Sequence, residues 1–205
     1  MTKNHKENLL LIFTKNPVAG KVKTRLAKDL GDDKALEIYK FLLEHSAAFT
    51  SSVNAEKHVY YSDSITDQDI WDNKIYKKKL QSGAHLGKRM ENAFKNGFEE
   101  NHEKIIVIGS DMYDIQAGDI EEAFQQLENH DYVIGPASDG GYYLFGMKSL
   151  NLKVFKNKDW GTSSVLKDTL KDLQKEDVKL LETRNDVDLL EDIEDHPAFQ
   201  NFINL

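Results

Sequence analysis

Between positions 15 and 28 the chain carries five basic residues (Lys15, Lys21, Lys23, Arg25 and Lys28) and no acid. They lie in and just after the loop Lys15-Asn16-Pro17-Val18-Ala19-Gly20, which follows a short apolar run and leads into a helical pattern. Free backbone N–H groups at such a turn, with cations around them, suit phosphate oxygens. Arg25 is the strongest single candidate, because a guanidinium can grip phosphate with two parallel bonds. The loop is not a Walker motif: Lys15 stands where the leading glycine is needed and Val22 where Ser or Thr must follow the lysine. A solvated basic loop is the alternative reading. Later in the chain come carboxylates. Ile105-Ile106-Val107-Ile108 runs into Gly109-Ser110-Asp111, and an acid there could hold Mg²⁺ or Mn²⁺ against the phosphates. Asp111 or Asp114 capping the next helix is the competing use. Asp139-Gly140-Gly141 is a tight turn whose backbone can approach a ligand closely, with a carboxylate beside it, and is equally a hairpin turn. Asp186-Val187-Asp188 with Glu191-Asp192 could supply a second carboxylate to the metal, or could complement a helix dipole.

These groups must be carried by strands and helices. Apolar, β-branched or aromatic runs predict strands over 9–13, 57–61, 104–108, 131–135, 142–147 and 178–181. Helical stripes lie between them: Leu36, Tyr39, Leu43 and Ala47; Leu86, Met90, Ala93, Phe94 and Phe98; Ile120, Ala123, Phe124 and Leu127. Asp32 or Asp33 is expected to cap the first of these helices and Asp119 the third. A further helix is expected over 162–175, capped by Thr162 or Ser163, and a last one from Asp188. Trp160 just before it would be core or a cover over the cleft. Alternation of this kind predicts an α/β fold with a largely parallel sheet and ligands beyond the carboxyl ends of its strands.

At roughly 150 residues per domain, a chain of 205 residues is expected to form one domain over 1–205. Its 27 basic and 35 acidic residues give a net charge of −8, which argues against general nucleic-acid binding. There is no cysteine, so disulfides, thiolate metal sites and cysteine nucleophiles are excluded. The polar stretch 1–8 and the short apolar run after it fit neither a signal segment nor a membrane span, and the cytoplasm is the expected location. The seven histidines (5, 45, 58, 85, 102, 130 and 196) show no metal-ligand spacing, and no Gly-x-Ser-x-Gly nucleophile motif occurs.

Taken together, Leu10-Leu11-Ile12-Phe13-Thr14-Lys15-Asn16-Pro17, Gly20-Lys21-Val22-Lys23-Thr24-Arg25-Leu26, Gly83-Ala84-His85-Leu86-Gly87-Lys88-Arg89-Met90, Gly109-Ser110-Asp111, the stretch from Gly135 to Leu144 and Asp186-Val187-Asp188 resemble a bacterial family catalogued as domain of unknown function 2064. The resemblance covers nearly the whole chain. It implies a GT-A-like, nucleotide-diphospho-sugar transferase fold, three α/β/α layers around a mostly parallel mixed sheet, in a family with a branch associated with arsenosugar biosynthesis. Lys23-Thr24-Arg25-Leu26 is similar to a segment of 2-phospho-lactate guanylyltransferases.

By this resemblance, Lys15, Lys23 and Arg25 would contact nucleotide phosphates, with Arg25 and Asp139 catalytic and Asp139 on the acceptor side. Asp111 would hold Mg²⁺ or Mn²⁺ with Asp188 as its distal partner, while Gly83 and Gly87, like Gly140 and Gly141, would allow close approach of the ligands. Tyr113 stands where many relatives have proline. The implied activity is a metal-dependent glycosyltransferase acting on a nucleotide-sugar donor and a small acceptor. A nucleotidylyltransferase is the alternative, and a non-catalytic nucleotide-binding protein the second.

Overall fold

The computed structural model describes residues 7–203; positions 1–6, with His5 and most of the polar N-terminal stretch, lie outside the described residues. The strands are β1 (Asn8–Thr14), β2 (Glu56–Tyr61), β3 (Tyr76–Leu80), β4 (Lys104–Gly109), β5 (Tyr132–Pro136), β6 (Tyr142–Met147) and β7 (Val178–Leu180). They form one sheet in the order β3-β2-β1-β4-β6-β5-β7. All neighbours are parallel except at β6, which runs antiparallel to both β4 and β5. The expected strands are present within a residue or two. β3 escaped the apolar search because it reads Tyr-Lys-Lys-Lys-Leu. Lysines along an outer strand guard its unpaired edge against association, which is why charge rather than apolarity marks it.

The helices are α1 (Ala27–Leu30), α2 (Asp32–Ser51), α3 (Leu86–Glu99), α4 (Ala117–Asn129), α5 (Val165–Asp172) and α6 (Gln200–Ile203). Successive strand residues point to opposite faces, so the apolar runs fill two cores at once. On one face Leu10, Ile12, Ile106 and Ile108 pack against Tyr39 and Leu43 of α2 and Ile120 and Phe124 of α4. On the other, Leu9, Leu11, Ile105 and Val107 meet Met90 and Phe94 of α3 and Phe155 of a 3-10 turn. A third cluster joins Leu26, Ile38 and Leu42 to Val187, Ile193 and Phe199, which draws the acidic C-terminal segment onto the end of the cationic loop.

Helix starts differ in detail from expectation. Gly31, at φ 84°, caps α2, and Asp32 and Asp33 stand in its first turn instead. At α4 the cap is Gln116, with Asp119 completing a capping box three residues on, where it also receives Arg184 at 2.6 Å. α5 starts at Val165 behind Ser164, so neither Thr162 nor Ser163 is its cap, and it ends at Asp172. Directly after Asp188 the chain makes a 3-10 turn, Leu190–Asp192, and not the start of a long helix, because Asp192 accepts the backbone N–H groups of Asp188 and Leu189 and closes the chain tightly. Among the described residues, no helix is long and apolar enough to cross a membrane.

Candidate active site

The cationic loop leaves β1 and is anchored by Val22 and Leu26, both buried. Between them Lys23 takes a positive φ of 45°, a conformation costly to a side chain other than glycine. That turn sends its ammonium inward, where it donates to Asp111 Oδ2 at 2.8 Å with only 4% of the side chain exposed. Asp111 is placed with equal care. Ser110 N–H bonds to Phe13 O, Ser110 Oγ donates to Thr14 Oγ1, and Ser46 Oγ of α2 donates to Ser110 O. Gly109 leaves room for this placement, since a Cβ there would stand 2.9 Å from Asp111 Oδ1 and push the carboxylate aside.

Asp111 lies on the floor of a cleft. Its side chain is half-exposed; the burial of the rest works against its charge, but Lys23 prevails through charge and hydrogen bond, with help from Lys15, and holds the carboxyl below its ordinary range. Burial opposes the charge of Lys23 too; Asp111 overcomes it, aided by Asp188 and Asp186, and holds the ammonium above its ordinary pKa. The signs set the pH dependence. The Asp111 contribution to stability is present above the ordinary carboxylate pKa and lost as pH falls below it; that of Lys23 is lost only as pH rises through its elevated value. In Lys23→Met the burial of Asp111 acts unopposed by its main partner. The stability advantage of wild type over this variant should therefore grow between pH 3 and pH 7 in urea titrations, and a pH-independent difference would contradict the pairing.

The cleft opens into a cavity of 240 Å³ lined by the carboxylates of Asp111, Asp139 and Asp186 and by Phe13, Tyr142 and Trp160. Burial raises the pKa of Asp186, as do the neighbouring charges of Asp139 and Asp111, while Lys23 partly offsets them. Mutual repulsion of this kind is what a bound cation relieves. The three acids border one cavity and leave room for phosphate and water to complete the sphere of a hard cation, which suits Mg²⁺ or Mn²⁺. Within the acidic stretch that could supply a second carboxylate, the resemblance points to Asp188, whereas it is Asp186 that borders the cavity; the two differ in sequence only by position within an acidic run.

The other expected residues divide. Asp188 accepts from Arg25 Nη1 at 2.6 Å, so its first partner is that guanidinium, at the mouth of the cleft beside Asp139 and Asp186. Lys15 borders a separate hollow with Trp71 and Asp69, its backbone tied to Tyr39 Oη at 2.9 Å. Asp139 Oδ1 accepts the N–H of Gly141 at 2.8 Å, which leaves the carboxylate turned to the cavity edge. Gly140 serves packing: at φ 89°, a Cβ on it would come within 2.3 Å of Ser163 O. Gly87 likewise makes room for Trp160, whose Nε1 would lie 2.2 Å from an added Cβ. Gly83, at φ 140°, lets the chain turn tightly onto the start of α3. Neither Asp111 nor Asp114 caps α4; the Asp114 carbonyl receives Arg184, which fixes the last loop from beneath. The histidines are not all isolated as their spacing suggests: His58 and His102 meet beside Glu56 and Glu100 at the other end of the sheet.

Comparison with known proteins gives a consistent picture. The model of the family DUF2064, described as an uncharacterized protein conserved in bacteria, matches residues 46–162. A 2-phospho-L-lactate guanylyltransferase of Methanocaldococcus vulcanius is 29% identical over 149 residues, covering 70% of this chain and 63% of the relative. Its counterpart from Methanocaldococcus jannaschii is 32% identical over 87 residues, 42% of this chain and 39% of the relative. The chain thus spans less than two thirds of the length of these curated relatives. A crystal structure described as a nucleotide-diphospho-sugar transferase from Desulfovibrio desulfuricans G20 superposes with a TM-score of 0.85 at 28% identity, covering 97% of this chain and 94% of the other. The 4-diphosphocytidyl-2C-methyl-D-erythritol synthase of Anaerococcus prevotii shares the fold, with a TM-score of 0.61 at 12% identity, over 96% of this chain and 97% of the other.

Proposed function

The chain belongs to the DUF2064 family, and on that footing we propose that it is a metal-dependent transferase that moves a sugar from a nucleotide-diphosphate donor to a small, uncharged hydroxyl acceptor. The observation that carries this reading is the ion pair of buried Lys23 with half-exposed Asp111 beyond the carboxyl ends of β1 and β4, beside a cavity with two further carboxylates. Lys23 and Arg25 bind the diphosphate, with Lys15 adding charge from the side. Asp111 and Asp186 would hold the metal, and Asp188 in turn fixes Arg25. Bound there, Mg²⁺ or Mn²⁺ would neutralise charge on the departing diphosphate.

Asp139 accepts the proton of the acceptor hydroxyl as its oxygen bonds to the sugar C1. The C1–O bond to the β-phosphate breaks, and the nucleoside diphosphate leaves against Lys23 and Arg25. Phe13, Tyr142 and Trp160 supply an apolar wall against which a sugar ring packs and from which water is excluded.

Nucleotidyl transfer is the second reading, favoured by the guanylyltransferase relatives. In that case a second phosphorylated ligand would have to approach Asp139, which the donor's metal and cations do not neutralise. Like charges disfavour that approach, whereas a neutral hydroxyl acceptor meets no such penalty. Product analysis with a panel of NTPs and nucleotide sugars, with and without Mn²⁺, decides between them. Release of nucleoside diphosphate supports sugar transfer and release of pyrophosphate supports nucleotidyl transfer. Metal-dependent binding with no turnover of any donor would leave a binding protein. Asp139→Asn should lower kcat by roughly 10²–10⁴-fold with little change in donor affinity; an unchanged kcat would remove Asp139 from the chemistry.

A further inference from the structure

At the end of the sheet opposite the cleft, four side chains with metal-ligating atoms converge from two parts of the chain. Glu56 and His58 are alternate residues at the start of β2, so both point to the face covered by α3. Glu100 caps the C-terminus of α3. His102 is folded back beside it by a turn in which Asn101 takes φ 67°, its N–H bonding to Phe98 O and that of His102 to Gly97 O. One nitrogen or oxygen from each of the four lies within 4.8 Å of the others. His58 Nε2 is 2.8 Å from Glu56 Oε1 and 3.8 Å from Glu100 Oε2, and His102 Nε2 is 3.7 Å from Glu56 Oε1. Ligands about 2.0–2.2 Å from a tetrahedral zinc lie about 3.3–3.6 Å apart, so shifts of an ångström or less would close the sphere.

We propose that Glu56, His58, Glu100 and His102 form a four-ligand site for a divalent transition metal of the zinc type, separate from the catalytic cleft. Two imidazoles select Zn²⁺ and its neighbours over Mg²⁺ or Ca²⁺, which take oxygen ligands. Four protein ligands with no open position mark a structural site that ties β2, α3 and the start of β4 together. Both imidazoles are buried.

Two lysines of β3 already bear on the cluster. Lys79 holds Glu100 Oε1 at 2.5 Å and leaves Oε2 turned toward His58, as an outer-sphere partner does. Lys77 holds Glu56 Oε1 at 2.5 Å and is largely exposed, so it can swing into water when a metal takes that oxygen. Lys77 is therefore a competitor, and its removal should strengthen metal binding. A purely structural ion-pair network predicts no such gain.

The test is a titration of the untagged 205-residue chain with Zn²⁺ against a chromophoric chelator, and with Co²⁺ followed by its visible absorption bands. Wild type should bind one equivalent of Zn²⁺ and give a tetrahedral Co²⁺ spectrum. Asp111→Asn, which alters only the cleft, should do the same. Glu100→Gln, at an exposed position, should weaken binding by about tenfold or more, and His102→Gln should abolish the spectrum. Lys77→Met should bind more tightly than wild type. No stoichiometric Zn²⁺ binding by folded wild type, or equal affinity in wild type and Glu100→Gln, overturns the proposal.

Discussion

Asp111→Asn should lower kcat/KM by roughly 10²–10³-fold, the scale on which losing a single group aimed at developing charge slows an enzyme. Asparagine keeps the shape of the side chain and an oxygen for Lys23, but it removes the charge that pairs with the ammonium and that the proposed metal would need. Two effects are then separable. Metal-dependent nucleotide binding should vanish, because a neutral amide is a poor ligand for a hard cation. Stability should fall by about 1–2 kcal/mol, less than the several kcal/mol of breaking a fully buried pair, since Asp111 keeps 44% of its side-chain exposure and Asn still accepts a hydrogen bond. The double variant Lys23→Met with Asp111→Asn should recover much of that stability and none of the activity. Thermal shifts with a nucleotide and Mn²⁺, run beside kinetics, check both halves. A variant that keeps the full metal-dependent shift would show that Asp111 is not a ligand.

Phe145→Ala should destabilise the protein by about 3–5 kcal/mol, the usual cost of emptying a buried aromatic site. In a chain of this length that corresponds to a fall of roughly 6–20 °C in Tm. Phe145 lies in β6, fully buried, with its ring centroid 6.0 Å from that of Phe94 and 6.3 Å from that of Phe155. Tyr142 is 5.4 Å away on the same strand and in turn meets Trp160 edge-on at 6.4 Å, so the vacancy reaches the wall of the cavity. Acceptor KM should rise with the loss of that wall, while Phe145→Leu should cost less than half as much stability. A Tm drop below about 3 °C for the alanine variant would mean that the aromatic stack is not the load it is taken for.

The core strands could be read from sequence because a strand covered on both faces is an unbroken apolar run, and such runs have few other uses. β3 could not, because its three lysines carry the signature of an edge and not of a core. The helical stripes were visible for the same reason as the strands, but their caps were not. Gly31 and Gln116 displace the acids that local preference favours, and Asp119 turns toward Arg184, a partner from the far end of the chain. Glycines mark tight places without saying what presses on them: Gly87 accommodates Trp160 and Gly140 accommodates Ser163, both distant in sequence.

By itself the sequence determined the chemistry on offer. A cationic loop after the first strand and carboxylates after later strands follow from local composition and from the rule that open sheets bind at the carboxyl ends of their strands. Which groups meet was decided only by tertiary packing. Val187 is buried with Leu26 and Ile38, and that anchor sends Asp186 to the cavity while Asp188 pairs with Arg25. His58 and His102 become neighbours through one left-handed turn and the position of β2 beside the end of α3. Local pattern sets where each residue points along its own element. Partners across elements depend on register and on which side chains the core has room to bury, and those are properties of the whole fold.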